Sequence, residues 1–385
     1  MKTIGLYLSV SPYSGGSFQY CLSILKNLKN LDRKKYQVKV FISNIIWKKY
    51  LPKKYKVIEL KRNSLFDKYL NYLSLFIFSK ATYKGLCNLL SKKINQINEE
   101  KCDLMIFPAQ EELSSKIFTK SITTIHDLMH RYEPQFKEYS FFEKIRRDFF
   151  YKKICNNSYA IIVDSIIGKS HVIDSYKINR KKIFICKFEV PEYLKTSKIV
   201  DIYKKYKLPK KKFIFYPAQF WEHKNHLNLI KAFNLVQKKI KYVDLILVGI
   251  DKNNLSQVKN LILKLNLQKF VHILGYVRNE DILSFYKKAS LLSYVSHCGP
   301  TNIPPLEAMY SGCPIVCSNV YGMKKQVGNS ALMINPNSYL DIYRKIKLIL
   351  INKKIKKSLI KIGYETLKKK KFEQNICKII EKLNF

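Results

Sequence analysis

The sequence predicts an α/β protein made of two consecutive domains, each built on a parallel β-sheet. The chain has 385 residues, which exceeds what one hydrophobic core usually organises. Short apolar segments alternate with helical segments, a pattern typical of parallel strands joined by right-handed crossovers. The alternation restarts after residues 189–197, EVPEYLKTS, whose Pro and Ser content is typical of a linker. We therefore predict domains over 1–195 and 196–364, followed by a C-terminal helical segment over 365–385.

The first half begins with a strand, TIGLYLSV, a turn at Ser14-Gly15-Gly16 and an amphipathic helix. The turn lacks the spacing G-x-G-x-x-G, so its glycines serve either turn geometry or a bound phosphate. QVKVFIS and YKVIEL follow as strands. The apolar segment over 65–78 is expected to pack on the sheet; the alternative is a position on the bilayer surface beside nearby lysines.

The next strands of this half are CDLMIFPA and KSITTIHDLMH. The second contains His126-Asp127, which places an imidazole at the carboxyl end of a strand, where open α/β sheets bind ligands. The alternative is that these two residues form a turn and a helix cap. A basic, aromatic helix, FFEKIRRDFFYKKICNN, and the strands YAIIVDS and KKIFIC complete the first half.

The second half centres on residues 291–320, LLSYVSHCGPTNIPPLEAMYSGCPIVCSNV, which read as strand, loop, helix and strand. The loop delivers Thr301, Asn302 and the amides around Ile303 to a helix N-terminus, with Glu307 in the first turn. Amides at the positive end of a helix dipole suit a phosphate, and a carboxylate suits a sugar diol. The alternative is a loop of the same kind without a ligand.

Lys224-Asn225 opens the helix after the first strand of the second half, FIFYPAQF. Because the carboxyl ends of parallel strands share one edge of a sheet, Lys224 and the 291–320 loop can meet at one anion. A lysine ammonium and helix amides would hold a diphosphate there, with Glu307 on a nearby ribose. The chain has neither a D-x-D pair nor a P-loop lysine motif, so a carboxylate-held magnesium ion is not indicated.

The composition indicates the cellular compartment of the protein. No stretch reaches the roughly 18 uncharged apolar residues that span a bilayer, and the N-terminal apolar run shows no small-residue cleavage site. The nine cysteines are scattered without a C-x-x-C pair, which argues against a disulfide framework and a zinc site and fits a reducing compartment. We expect a cytoplasmic protein.

The formal net charge of +43 would attract nucleic acid or anionic lipid. Only eight of the 71 basic residues are arginine, the residue favoured for reading bases and phosphates, so the sequence predicts no nucleic-acid partner. We interpret the excess of lysine as a consequence of an AT-rich genome, with the lysines at solvated surface positions. The alternative is peripheral contact with an anionic membrane, at the inner face of the plasma membrane.

Four stretches carry a family resemblance: GPTNIPPLEAMYSGCPIV, YPAQFWEHKNHLNLIKAF, SITTIHDLMHRYEPQF and YAIIVDSIIGKSHVI. They resemble the retaining, sugar-nucleotide-dependent glycosyltransferases of family four, also called group one, over most of the chain. The resemblance implies the GT-B fold, in which two Rossmann-like parallel-sheet domains face one another across a cleft and the last helix crosses back to the first domain. PAQFWEHKN and GPTNIPPLEA resemble a bacterial branch that builds surface polysaccharides and includes many mannosyltransferases.

By position, the resemblance assigns the donor diphosphate to Lys224 and the ribose hydroxyls to Glu307. It places His126 beside the anomeric carbon and the Gly15-Gly16 turn near the donor phosphate and acceptor. The chemistry of the family needs no metal and no cofactor. The implied catalytic residues are His126, Lys224 and Glu307, and the implied donor-binding residues are Gly15, Gly16, Gln219, Lys224, Asn225, Gly299, Thr301, Asn302, Ile303 and Glu307.

Two positions depart from the family pattern. Gly299 stands where the family usually has a Glu, eight residues before the position of Glu307, so a carboxylate expected at the transferred sugar is missing. Gln219 stands where an Arg usually lies five residues before Lys224, which leaves less positive charge for the diphosphate unless His223 or a nearby lysine offsets the loss.

The sequence therefore predicts a retaining hexosyltransferase, with mannosyl as the favoured sugar. It would act from a nucleotide sugar such as GDP-mannose on a lipid-linked or oligosaccharide acceptor of bacterial surface polysaccharide synthesis. The alternatives are a nucleotide-sugar epimerase of the same fold and, less favoured, a basic nucleic-acid-binding protein.

Overall fold

The structure is a computed structural model that describes residues 1–61, 70, 80–369, 375–383 and 385. The predicted membrane or sheet-packing segment over 65–78 lies outside the described residues. In chain order the elements are β1 (Lys2–Leu8), α1 (Gly16–Asn27), β2 (Tyr36–Ile42), β3 (Lys56–Glu59), α2 (Lys80–Leu90), α3 (Lys92–Glu99), β4 (Leu104–Phe107), β5 (Lys120–Thr124), α4 (Met129–Tyr132), α5 (Phe141–Asn157), β6 (Ala160–Val163), α6 (Ile166–Tyr176), β7 (Ile183–Ile185), α7 (Tyr193–Thr196), α8 (Ile202–Lys205), β8 (Lys212–Pro217), α9 (His226–Lys239), β9 (Val243–Val248), α10 (Leu255–Lys264), β10 (Val271–Ile273), α11 (Asn279–Lys288), β11 (Leu291–Tyr294), α12 (Ile303–Ser311), β12 (Ile315–Ser318), α13 (Met323–Val327), β13 (Ala331–Ile334), α14 (Tyr339–Ile351), α15 (Lys353–Lys369) and α16 (Ile376–Lys382).

The chain divides into two compact units. The first comprises Met1–Leu128, Ile145–Lys187 and helix α16, and the second comprises Met129–Lys144 and the chain from Phe188 to the end of α15. The predicted ranges placed 129–144 and 188–195 in the first domain. These segments belong to the second unit because their side chains and amides bond to it, as described below for Glu138 and Tyr193.

The first unit is built on a parallel sheet in the order β3-β2-β1-β4-β5-β6-β7. β1 lies at its centre, where Ile4 is in register with Val38 of β2 and Leu104 of β4. The last five residues of β1 and all of β4 and β6 are buried, because strands covered on both faces need continuous apolar runs. Helix α16 also packs here, where Cys377 Sγ donates to the Asn27 carbonyl at the end of α1 at 3.0 Å.

The second unit is built on a parallel sheet in the order β10-β9-β8-β11-β12-β13. Strands β9, β11 and β12 are buried along their whole length, and helices on both sides of the sheet complete a single core cluster. All nine cysteines lie in the described part of the chain, where they are buried and form no disulfide, so they pack as small apolar side chains. Among the described residues, no helix combines the length and the apolar character needed to cross a membrane.

Candidate functional site

The carboxyl edge of the second sheet carries the candidate site. β8 and β11 are neighbours in this sheet although β9 and β10 separate them in sequence, so their carboxyl ends form a topological switch point. Open α/β sheets bind ligands in the crevice at such a point. Lys224 follows β8 and the loop leading to α12 follows β11, so the structure brings together the two elements that the sequence predicted to meet.

Tyr294, the last residue of β11, connects Lys224 to that loop. Lys224 Nζ donates to the Tyr294 hydroxyl at 3.3 Å, and this hydroxyl donates to Asn302 Oδ1 at 2.6 Å. Burial raises the pKa of Tyr294, whereas the Lys224 ammonium favours the ionised phenol and opposes the shift. The ammonium is therefore held on the same side of the sheet as the N-terminus of α12. Tyr294 was not identified from the sequence, although its place at the end of a strand before the loop is a signal for such a residue.

Helix α12 offers fewer free amides than expected. The helix begins at Ile303, and the next two residues, Pro304-Pro305, have no N–H. The Asn302 N–H already donates to Gln326 Oε1 at 2.9 Å. Of the first three helical residues, only Ile303 has an N–H that could meet an anion. Most of the positive charge for an anion at this end must therefore come from Lys224.

Glu307 lies deeper in the fold than the sequence suggested. The sequence predicted Glu307 in the first turn of the helix. Because α12 already begins at Ile303, Glu307 is its fifth residue and lies beyond the first turn. Its side chain is only 5% exposed. The Tyr193 hydroxyl donates to Glu307 Oε1, and the Tyr286 hydroxyl donates to Oε2 at 2.8 Å.

The surroundings of Glu307 define what its carboxyl group can bind. Burial raises its pKa, while the hydrogen bonds from Tyr193 and Tyr286 favour the ionised form and oppose the shift. A carboxylate offers about four lone-pair positions, so two remain for further donors after the tyrosines are satisfied. The group therefore retains the capacity to accept hydrogen bonds from a diol. Neither tyrosine was identified from the sequence. Tyr193 lies in the segment that was predicted to be a linker.

Asn225 and Gln219 hold the corner around Lys224. Asn225 has the left-handed conformation, φ 62° and ψ 32°, and its Nδ2 donates to the carbonyls of Val295 at 3.0 Å and Pro336 at 2.8 Å. Both amide N–H donors of Asn225 are thus engaged by main chain, which ties the start of α9 to the exits of β11 and β13. Gln219 Oε1 accepts a hydrogen bond from Trp221 Nε1 at 3.0 Å.

Gly299 occupies a backbone conformation that favours glycine. Its φ is +109°, and a Cβ at this position would lie 2.7 Å from Asn302 Nδ2. The glutamate usual in the resembled family could not be placed on this backbone without strain. A glutamate at this position would therefore require a change in the loop conformation. Thr301, two residues on, is half-buried.

Residues 129–144 contribute a carboxylate next to His223, the residue before Lys224. Glu138 Oε1 is hydrogen-bonded to His223 Nδ1, and Glu138 Oε2 accepts from Asn253 Nδ2 at 3.0 Å. Burial tends to raise the pKa of Glu138, but the bonds and the charge of His223 outweigh it and lower the pKa. His223 is thus paired with an acid and does not simply replace the charge lost with an arginine at position 219.

The first unit carries His126 just beyond β5. Its ring packs edge-on against Tyr20 of α1, with 5.0 Å between ring centroids. Burial lowers the pKa of His126 to about 4, against smaller opposing effects of the Asp127 charge and the Pro108 carbonyl. His126 is therefore neutral at physiological pH and can offer one ring nitrogen as a donor or an acceptor.

The Gly15-Gly16 turn lies at the carboxyl end of β1, as predicted. Gly15 has φ +61° and caps α1, which begins at Gly16. β1 and β4 form the switch point of this sheet, and here Ser9 Oγ donates to Glu111 Oε1. Burial raises the pKa of Glu111, opposed by the Ser9 bond and the Lys93 charge. Glu111 was not identified from the sequence, although it follows the predicted strand CDLMIFPA by two residues.

The chain is similar to known proteins both in sequence and in fold. Residues 175–366 match the sequence model of glycosyl transferases group 1. The chain carries a group 1 glycosyltransferase domain. The resemblance predicted from the sequence is therefore confirmed, and the matched residues include Lys224 and the whole 291–320 stretch.

Curated relatives of this glycosyltransferase domain include two bacterial mannosyltransferases. O-antigen chain mannosyltransferase B of Escherichia coli is 26% identical over 57% of this chain and 58% of its own length. O-antigen chain mannosyltransferase RfbU of Salmonella typhimurium is 26% identical over 56% of each chain. The match thus spans less than two thirds of the length of either relative.

Solved structures confirm the fold class. Sucrose-phosphate synthase of Thermosynechococcus elongatus superposes with a TM-score of 0.71 over 96% of this chain and 94% of its own, at 19% identity. HepE of Anabaena, solved in complex with UDP and glucose, superposes with a TM-score of 0.73 over 100% of both chains, at 14% identity. The two parallel-sheet domains are those of the GT-B fold.

Proposed function

We propose that this protein transfers a hexosyl group, most simply mannosyl, from a nucleotide sugar to a lipid-linked or oligosaccharide acceptor, with retention at the anomeric carbon. The observation that carries the proposal is the group 1 glycosyltransferase domain with Lys224 and the α12 N-terminus at one switch point. The choice of mannosyl rests on the mannosyltransferase relatives.

The second unit would bind the donor. Lys224, fixed by Tyr294, would neutralise the diphosphate together with the Ile303 N–H. The leaving diphosphate gains negative charge as the bond to C1 breaks. A positively charged hydrogen-bond donor that is already in place therefore stabilises the transition state more than the ground state. Glu307 would accept the ribose hydroxyls with the lone pairs that Tyr193 and Tyr286 leave.

The reaction would form the bond from the acceptor oxygen to C1 on the face from which the diphosphate leaves. The acceptor proton would pass to the departing phosphate oxygen, so no side chain is required as base. His126 of the first unit, neutral at physiological pH, would orient a sugar hydroxyl by one hydrogen bond.

We also propose that the transfer needs no metal ion. Among the described residues, no group of three His, Cys, Asp or Glu side chains is arranged to hold one. The lysine ammonium and the helix N-terminus would supply the charge stabilisation that a divalent cation gives elsewhere. Activity should persist in excess EDTA; a requirement for added Mg²⁺ or Mn²⁺ would contradict this part.

The test incubates purified protein with labelled GDP-mannose, UDP-glucose or UDP-N-acetylglucosamine and a bacterial lipid extract. We expect label from GDP-mannose in the lipid fraction and an anomeric configuration of the product, read by NMR, equal to that of the donor. Lys224→Ala should abolish turnover. The matched control is Lys231→Ala, an exposed lysine on the same helix α9, which should retain wild-type rates.

Two results would overturn the proposal. One is no transfer from all three donors together with no nucleotide binding in calorimetry. The other is conversion of the donor sugar to a different sugar nucleotide without acceptor, which would identify an epimerase.

A further inference from the structure

The first unit has a cavity at the amino edge of its sheet, opposite the carboxyl edge that carries Gly15 and His126. Residues preceding or starting β1, β2 and β3 line this cavity, which has a volume of about 320 Å³. Gly15 and His126 lie at the carboxyl ends of the strands of the same sheet, whereas the cavity lies at the amino ends. Helix α1 runs between the two edges, and its 12 residues correspond to a length of about 18 Å.

Positive charge concentrates on this cavity. Lys29, Arg33, Lys54 and Lys56 contribute to its lining, and the described lining residues include no Asp or Glu. Lys56 is paired with Glu100, with 2.8 Å from Nζ to Oε2. In the described part of the chain, no ion pair is formed by the other three side chains. Lys29, Arg33 and Lys54 therefore line one small volume from exposed positions, without an ion-pair partner among the described residues.

These cations are close enough to repel one another. The pKa of Lys54 is lowered, first by partial desolvation and then by the charges of Arg33 and Lys29. Like charges held together in the absence of a ligand raise the free energy of the folded state, and an anion relieves this repulsion. The cluster therefore favours anion binding on electrostatic grounds.

Tyr55 lines the same cavity. Lys54 Nζ lies 5.4 Å from the centre of the Tyr55 ring. Burial raises the pKa of this phenol, and the charge of Arg33 opposes the shift, so Arg33 also lies near the ring. The hydroxyl itself is buried away from solvent, so Tyr55 forms part of the cavity wall beside these cations and does not supply a donor to a ligand.

We propose that this cavity binds a phosphate group, through Arg33, Lys29 and Lys54. A guanidinium fork and two ammonium groups match the oxygens of a phosphate. The volume lies at the lower end of the range for small-molecule sites and suits a headgroup-sized ligand. The phosphate belongs either to a lipid headgroup or to a soluble phosphate ester, and the site does not depend on the proposed transferase activity.

The experiment compares two variants with the same loss of charge. The cavity variant carries Lys29→Gln, Arg33→Gln and Lys54→Gln. The control variant carries Lys152→Gln, Arg180→Gln and Lys181→Gln, which remove two lysines and one arginine from exposed positions elsewhere on the first unit. Calorimetry at 25 °C with sn-glycerol 3-phosphate and with inorganic phosphate measures affinity. Sedimentation with vesicles of phosphatidylglycerol, against phosphatidylcholine, tests the lipid source.

We expect the cavity variant to bind glycerol phosphate more weakly by roughly tenfold or more, and the control variant to bind like wild type. Loss of sedimentation with phosphatidylglycerol in the cavity variant alone, with competition by glycerol phosphate, would support a lipid headgroup. Equal sedimentation of both variants, with the calorimetric difference intact, would support a soluble phosphate ester. No binding by wild type, or equal binding by both variants, would overturn the proposal.

Discussion

His226 is expected to make the second unit sensitive to acid. It is the first residue of α9, directly after Lys224 and Asn225, and its side chain is fully buried. The ring stacks on Phe220, with 4.5 Å between centroids and 23° between planes. Burial lowers the pKa of His226 from 6.5 to about 3, and the Ala218 carbonyl only partly opposes this.

The sign and size of the effect follow from this shift. In the unfolded chain the imidazole takes up a proton below pH 6.5, whereas in the folded chain it stays neutral down to about pH 3. Acid therefore favours unfolding, by about 1.4 kcal/mol for each pH unit inside this window. At pH 5, about 1.5 units below the pKa in the unfolded chain, protonation of His226 in the unfolded state should lower the free energy of unfolding by about 2 kcal/mol relative to neutral pH.

His226→Phe keeps the stacked ring and removes the titration. Between pH 7.5 and pH 5, the free energy of unfolding of the variant relative to wild type should increase by about 2 kcal/mol. Urea unfolding measures this, followed by Trp221 fluorescence with Trp47→Phe in both proteins so that only the second unit reports. Phe220→Leu, which disturbs the same packing without a titrating group, should lower stability equally at both pH values. A pH-independent difference between His226→Phe and wild type would refute the reasoning.

Three further outcomes are expected. Tyr294→Phe removes the hydroxyl between Lys224 and Asn302 and should weaken donor binding by roughly tenfold in calorimetry; unchanged affinity would show that the lysine needs no such anchor. Gly299→Ala puts a side chain at φ +109° and should lower the free energy of unfolding by about 1–3 kcal/mol in urea titrations, and an unchanged midpoint would contradict the assigned strain. Because burial raises the pKa of Glu111 above 4.5, the folded state binds the carboxyl proton more tightly than the unfolded state, and the free energy of unfolding falls as the pH rises from 4.5. Glu111→Gln should reduce this fall between pH 4.5 and pH 8 in urea titrations. An unaltered pH dependence would contradict the raised pKa.

The strands were predictable from the sequence because each is a short apolar run that both faces of a sheet bury. PIVCSNV contains β12 and VDLILVGI contains β9, as predicted. Helix α5 also coincides with the predicted segment. The restart of the pattern indicated two sheets, since it depends only on local periodicity.

The partners of the site residues could not be predicted, because periodicity reports burial and not which distant residues meet. Glu307 is bonded by Tyr193, which lies 114 positions earlier in a segment that resembles a linker. Glu138 meets His223 across 85 positions. The substitution at Gly299 was visible in the sequence, but the positive φ that accompanies it required the structure.

The division of the chain affects the order in which it can fold. The polypeptide passes between the two units at 128/129, at 144/145, at 187/188 and again between Lys369 and Ile376. Neither unit is a contiguous piece of the gene, so truncation at the linker would remove Glu138 from one product and α16 from the other. During synthesis, the first unit is completed only after the second, because its helix α16 follows the whole second unit in the chain. Its incomplete surface must persist while the whole second unit is made, and this interval is where we expect the nascent chain to be most prone to aggregation.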